Sequence, residues 1–200
     1  MPRKALKKLA REFYSRNTLV VARQLLGMHL VHDEGPLRRV GRIVETEAYL
    51  GPGDLAAHSS KGRTARTEVM FGAGGHAYVY FIYGFWNCFN VVTRTEGVPQ
   101  AVLIRALEPV LNVEDKTWGP GLLCRAMGID RTLNGADLTG PRLWIGMPSQ
   151  KKKPRVVSAT RIGVDYAGDW AQRPWRFFDA DSPFVSTMLP GQRRRMLDQR

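Results

Sequence analysis

Two glutamates, a tyrosine and a histidine stand close together in Arg42-Ile-Val-Glu-Thr-Glu-Ala-Tyr49, continued by Leu50-Gly-Pro-Gly-Asp54 and His58. The first part reads as a strand leaving into a loop. Strand side chains alternate between faces. That predicts Ile43, Glu45, Glu47 and Tyr49 on one face and Val44, Thr46 and Ala48 on the other. A carboxylate beside an aromatic ring at a strand end can abstract a proton next to a stacked planar substrate. The same residues also suit an edge strand with two solvated glutamates.

Three further residue types could join them. The run Ala77-Tyr-Val-Tyr-Phe-Ile-Tyr83-Gly84 is dense in aromatics. Tyr78 and Tyr80 share one face, and Tyr83 falls on the other, at a hairpin tip. A tip tyrosine can wedge between base pairs and fill the space left by an extruded nucleotide, or simply pair across the hairpin. Asn90 lies in an apolar strand, where an amide is costly unless hydrogen-bonded; it satisfies backbone groups or reads a ligand edge. Arg105 lies in Val102-Leu-Ile-Arg-Ala-Leu-Glu-Pro109 and needs an anion: Glu108, a catalytic carboxylate or a phosphate.

The elements that must position these groups follow from pattern. Residues 17–28 read as a helix capped by Asn17, with Leu19, Ala22 and Leu26 on one face and Gly27 at its stop. Residues 40–50 form the strand above. Residues 51–75 form a loop long enough to be functional or disordered. Residues 77–83 and 88–95 make a hairpin turning at Gly84-Phe-Trp-Asn87, and residues 100–107 make another strand. Trp118-Gly-Pro-Gly121 opens a helix through Met127 that Gly128 stops, with Pro120 in the first turn. Residues 129–155 are turn-rich and residues 160–164 form a last strand. Residues 169–178 are aromatic and basic. We find no repeat and no linker. The expectation is a single mixed α+β domain over residues 1–200, with a basic N-terminal segment 1–11 and a basic tail 190–200.

Bulk composition narrows the partners. Thirty Lys and Arg against eighteen Asp and Glu give a net charge of +12 over 200 residues. Such a surplus favours a polyanion: nucleic acid first, an anionic membrane surface second. Residues 1–40 and 111–200 each carry a net +6, whereas residues 41–110 are neutral. An uncharged pocket within a cationic docking surface fits that distribution. The basic run Lys151-Lys-Lys-Pro-Arg155 reads as a solvated loop. Cys88 and Cys124 make no CxxC pair, and the four histidines make no HExxH, so neither structural nor catalytic zinc is expected. No segment has the length and apolarity of a membrane span, and the N-terminus lacks the apolar core of a signal peptide. A cytoplasmic protein is the expectation.

Taken in order, several motifs resemble one family. They are Arg42-Ile-Val-Glu-Thr-Glu-Ala-Tyr-Leu-Gly-Pro with Asp54 and His58, then Met70-Phe71, Tyr78-Val-Tyr80, Tyr83-Gly84, Asn90-Val91 and Arg105-Ala-Leu-Glu-Pro109. Gly119-Pro-Gly, Arg161-Ile-Gly-Val and Pro174-Trp-Arg-Phe177 continue the series. The pattern resembles the alkyladenine (3-methyladenine) DNA glycosylases, in their shorter bacterial form, over residues 12–187.

The resemblance implies a curved antiparallel sheet core with surrounding helices, and a monomer that needs no metal or cofactor and acts on double-stranded DNA carrying damaged purines. It implies Glu47 as the general base that activates a water against the sugar C1′. It implies Arg105 as the holder of that water and of the flipped nucleotide's backbone. Tyr49 and His58 would stack against and hydrogen-bond the flipped base, with Tyr80 on its other face. Tyr83 would be the wedge, and Asn90 would exclude the 2-amino group of guanine. Two positions depart from the family: Asn87 where a bulky side chain is common, and Thr67 where some members carry Asn. Lys61 is the only lysine between residues 41 and 110, which favours hydrolysis to an abasic site over a Schiff-base nucleophile. The rivals are a non-catalytic damaged-DNA-binding module, which would not need Glu47, and a carbohydrate hydrolase using Glu45 and Glu47 as a carboxylate pair. The positive charge disfavours the second.

Overall fold

A computed structural model describes residues 6–82, 84–113, 116–149, 153–187 and 196–198. The elements run β1 (Leu6–Lys8), α1 (Arg11–Tyr14), α2 (Thr18–Leu25), β2 (His29–Glu34), β3 (Leu37–Tyr49), β4 (Ala77–Ile82), β5 (Trp86–Thr93), β6 (Gln100–Leu111), α3 (Pro120–Met127), β7 (Leu143–Pro148), β8 (Val156–Ala159) and β9 (Arg176–Asp179). The strands form one curved antiparallel sheet, seven of them in the order β1-β7-β2-β3-β6-β5-β4 with β9 paired to β3 and β8 to β9, so the fold is α+β as expected. Strand β3 is its axis. One edge pairs with β6; the other pairs with β2 up to Arg42 and with β9 from Glu45 to Glu47.

Alternation along the strands separates the core from the opposite face. Ala77, Val79, Phe89, Val91, Val102 and Ile104 pack with Val21, Ala22 and Leu25 of α2 and with Leu123, Cys124 and Met127 of α3. Each Val, Leu, Ile, Phe or Met among them, fully buried, contributes about 1.5–3 kcal/mol. Their neighbours Tyr78, Tyr80, Cys88, Asn90, Leu103 and Arg105 line a cavity instead.

Local signals account for the helices. Asn17 Oδ1 accepts from Leu19 N at 3.0 Å and Val20 N at 3.3 Å, the expected cap. Helix α2 ends at Leu25, earlier than expected, because Gly27 N–H bonds Ile43 O at 2.8 Å and Met28 O accepts from Ile43 N. The chain there joins the sheet instead of continuing the helix. Helix α3 opens at Pro120 and stops at Gly128 with φ +68°, as expected. Gly121 lets this helix meet the hairpin: a Cβ there would lie 2.6 Å from the Trp86 ring.

Several expectations are corrected. Residues 160–164 are not a strand; β8 and β9 flank them. Arg161 is turned inward to Asp54, Ile162 N–H is donated to a carboxylate, and Gly163 has φ +73°, so no ladder can form. Strand β2 escaped notice because His29, His32 and Asp33 blur its alternation, and β7 lies in the stretch read as turns. The loop 51–75 holds two short 3-10 turns, His58–Lys61 and Glu68–Phe71. It is pinned by Ser59 Oγ to Pro99 O at 2.8 Å and by Thr67 Oγ1 to Gly62 O at 3.0 Å. Among the described residues, no helix is long and apolar enough to cross a membrane, and no group of three His, Cys, Asp or Glu is placed to hold a metal ion.

Candidate active site

The register of β3 against β6 slips twice at the site. It passes from Ile43↔Leu107 to Glu45↔Ala106, leaving out Val44, then to Thr46↔Ile104, leaving out Arg105. Bulges bend a strand and re-aim side chains. Ile43 therefore packs in the core with Ala48, and Thr46 Oγ1 donates to Ala22 O at 3.0 Å on that same side. The expectation that Ile43 shares a face with Glu45 and Glu47 is overturned by this slip. Glu45 and Glu47 do share a face, and Arg105 is brought between them.

Both carboxylates are fully buried. Glu47 Oε2 accepts from the Tyr49 hydroxyl at 2.9 Å, and Glu47 Oε1 accepts from Ile162 N–H at 2.9 Å. Arg105 Nη1 lies 3.5 Å from Glu47 Oε2, while its Nε lies 3.6 Å from Glu45 Oε1 and donates to Ser186 Oγ at 3.2 Å. Of the two protein anions open to Arg105 in the sequence, the β3 carboxylates, not Glu108, lie beside it. Glu108 instead accepts from Arg42, which also donates to Asp179 at 2.9 Å. Burial pushes the Glu47 carboxyl above the ordinary carboxylate range, and the Glu45 charge adds to that. Arg105, the Ile162 N–H and the Tyr49 hydroxyl act in the other direction.

In front of this pair is a cavity of about 390 Å³, within the range of small-molecule sites. Its rings come from Tyr49 at the end of β3, His58 from the loop, Tyr78 and Tyr80 from β4, and Tyr166 from the chain between β8 and β9. His58 Nδ1 shares a hydrogen bond with the Tyr78 hydroxyl at 3.0 Å, and its ring meets Tyr80 edge-on at 4.5 Å. Burial, with Arg66 and Lys61 nearby, lowers the His58 pKa to about 4, so the imidazole is neutral at pH 7. Burial raises the Tyr49 and Tyr80 hydroxyls well above their usual value and the Cys88 thiol to about 11. All three are protonated near neutrality. Asn90 is buried, donates Nδ2 to Tyr78 O at 3.1 Å and lines the cavity, so its amide satisfies a backbone carbonyl at the cavity wall.

The geometry gathers Glu47, Tyr49, His58, Tyr80, Asn90 and Arg105 around one space. Glu47 does not itself line the cavity; it sits behind Tyr49, Arg105 and Ile162, which do. Tyr83 lies outside the described residues; its neighbour Phe85 is 66% exposed at the hairpin turn. Sequence reasoning gave the supporting groups no role, although Asp54 and Arg161 stand in the motif series. Arg161 donates to both Asp54 oxygens, to Ala48 O and to Trp170 O, and its guanidinium lies 4.8 Å from the Tyr49 ring centre. The carboxylate of Asp54 also accepts from Leu50 N–H and Ala56 N–H, which shapes the loop after Tyr49. Tyr78 had a signal, its face shared with Tyr80. Ser186, which donates to Glu45 from 141 residues away, had none.

The sequence pattern of the family described as methylpurine-DNA glycosylase matches residues 12–183. This chain belongs to the methylpurine-DNA glycosylase family. The match spans every residue of the cavity wall; Ser186 lies just beyond it. Several relatives are named "Putative 3-methyladenine DNA glycosylase". That of Legionella pneumophila (strain Corby) is 53% identical over 181 residues, covering 90% of this chain and 99% of the relative. That of Anaeromyxobacter sp. (strain Fw109-5) is 54% identical over 194 residues, covering 96% and 99%. That of Methanocella arvoryzae is 52% identical over 198 residues, covering 92% and 98%. As a methylpurine-DNA glycosylase family member, the chain pairs its aromatic cavity with a carboxylate behind the wall.

Proposed function

We propose that this DNA glycosylase takes an alkylated or deaminated purine out of duplex DNA and hydrolyses its N-glycosidic bond, leaving an abasic site. One observation carries the reading: a buried carboxylate, Glu47, held beside Arg105 at the back of a ring-lined cavity of about 390 Å³. No group reaches C1′ of a stacked nucleotide, so the base must leave the helix first. Unstacking costs a few kcal/mol, least at a damaged or mispaired site. Stacking on aromatic rings returns about 1–3 kcal/mol per base. Tyr49 and His58 take one face of the flipped purine and Tyr80 the other, while Tyr83 fills the gap in the duplex. Asn90, its amide fixed on Tyr78 O, rejects the 2-amino group of guanine. Glu47 reaches a water at the edge that Tyr49 and Arg105 share, takes its proton and directs it at C1′.

The pH dependence tests this chemistry. The reaction needs Glu47 ionised, and its pKa is raised. The rate should therefore fall as pH drops, with the acid limb above the ordinary carboxylate range. A neutral lesion such as hypoxanthine needs a proton to leave, so its profile should be a bell. A cationic lesion such as 3-methyladenine needs none, so its alkaline limb should flatten. Single-turnover rates across pH for both lesions check this; superimposable profiles would contradict it.

DNA docking rests on the +12 charge. Affinity for duplex should fall with salt at a log–log slope of about −0.9 per phosphate contacted. A flat response in a binding titration from low to moderate salt would rule out docking through the basic flanks.

A further inference from the structure

Glu45 is the one fully buried carboxylate of the cluster to which the reaction assigns no step. It is the more firmly held of the two. Arg176 Nη1 donates to Oε1 at 2.9 Å, Ser186 N–H donates to Oε2 at 2.7 Å, and Ser186 Oγ donates to Oε1 at 3.0 Å. In the ladder Arg176 stands opposite Glu47, yet its guanidinium goes to Glu45. Arg105 is divided. It lies 3.6 Å from Glu45 and 3.5 Å from Glu47, with its Nε on Ser186 Oγ. A guanidinium that serves one carboxylate closes to about 2.7–2.9 Å. Here it closes on neither.

We infer that Glu45 is a positioning residue: anchored by Arg176 and Ser186, it draws Arg105 away from a closed ion pair with Glu47. The inference rests on the reading of Glu47 as the base. Its physical content is a competition. A closed Arg105–Glu47 pair would stabilise the carboxylate and make it a poorer proton acceptor. A second anion on the far side of Arg105 prevents that closure and repels added negative charge on Glu47 directly. Two buried carboxylates against Arg105 and Arg176 also leave the cluster with no net charge, which a buried site requires.

The remaining groups around Glu47 do not depend on Glu45. Tyr49 and the Ile162 N–H donate to it, and Tyr80 from β4 and Cys88 from β5 face it in neutral form. The Asp54–Arg161 pair packs behind Tyr49. Ser186 ties the clamp to the chain after β9, which returns to the sheet through the buried Ser182 and Val185.

The test is the pH–rate profile of Glu45→Gln in single-turnover release of hypoxanthine, beside wild type, Ser186→Ala and Glu47→Gln. Gln retains shape and acceptor oxygen but not charge. Glu45→Gln should move the acid limb to lower pH by about one unit and lower the plateau about tenfold. Ser186→Ala, which frees Arg105 Nε and removes one donor to Glu45, should move the limb the same way by less. It decides the matter if Glu45→Gln does not fold. A reduced plateau with an unmoved acid limb in both variants would overturn the inference and leave Glu45 a packing residue. Wild-type release by Glu47→Gln would instead remove the base assignment, and this inference with it.

Discussion

Glu47→Gln should lower the single-turnover rate of base release by about 10²–10⁴-fold, the usual contribution of a positioned general base, while affinity for lesion duplex changes little. The exchange is nearly isosteric. The Gln oxygen can still accept from Ile162 N–H, and the Tyr49 hydroxyl can turn to accept from the new amide. Arg105 keeps Glu45 and Ser186 as partners, so the cluster is not left with an orphaned cation. On the proposed reading, binding rests on the rings of Tyr49, His58 and Tyr80 and on the basic flanks; of these the substitution alters only the hydrogen bond of the Tyr49 hydroxyl. Free base measured by chromatography gives the rate, and a gel-shift titration gives the affinity. Equal rates for variant and wild type would place the catalytic group elsewhere in the cavity.

Asp54→Ala should cost about 3–5 kcal/mol of folding stability, because it strands a buried guanidinium. The Arg161 and Asp54 side chains are both wholly buried, and their two contacts measure 2.5 and 2.8 Å. Arg161 Nε already has no partner, so the variant would leave the group underserved on both sides. The turn that Asp54 fixes through Leu50 and Ala56 would also open. For a chain of this size the loss corresponds to a Tm drop of roughly ten degrees. Asp54→Asn retains an acceptor for the backbone but not the charge and should fall between. Thermal and urea unfolding check this; a change below about 1 kcal/mol would mean that water or a neighbouring group takes over the Arg161 charge. Activity should fall too, since Arg161 lies against Tyr49.

What could be read in advance followed local chemistry. Asn17 announced its helix by capping it, Gly119-Pro-Gly announced α3, and the aromatic alternation of β4 announced the ring wall. The grouping of Glu47, Tyr49, His58, Tyr80, Asn90 and Arg105 was legible only through the resemblance to the glycosylase motifs; alternation by itself left a structural reading open for Glu47, Asn90 and Arg105. The misses have physical causes. Alternation has no symbol for a bulge, so the slip at Val44 put Ile43 on the wrong face. The residues 160–164 look like a strand by composition, but Arg161 and Ile162 spend their hydrogen bonds on Asp54 and Glu47. Those partners are 107 and 115 residues away, beyond any periodicity. Ser186 is invisible for the same reason. Tyr83 falls outside the described residues, so the wedge stays a reading of the motif.

The central claim is that this cavity does chemistry and does not merely recognise damage. The most direct measurement is single-turnover incubation of the wild-type chain with defined duplexes carrying hypoxanthine or 3-methyladenine, scoring free base, abasic sites and strand breaks together. The account predicts free base and abasic sites in equal amounts on an intact strand. Tight binding with no base released would contradict it and identify a damage-binding module; release with a cleaved strand would contradict the water-only mechanism.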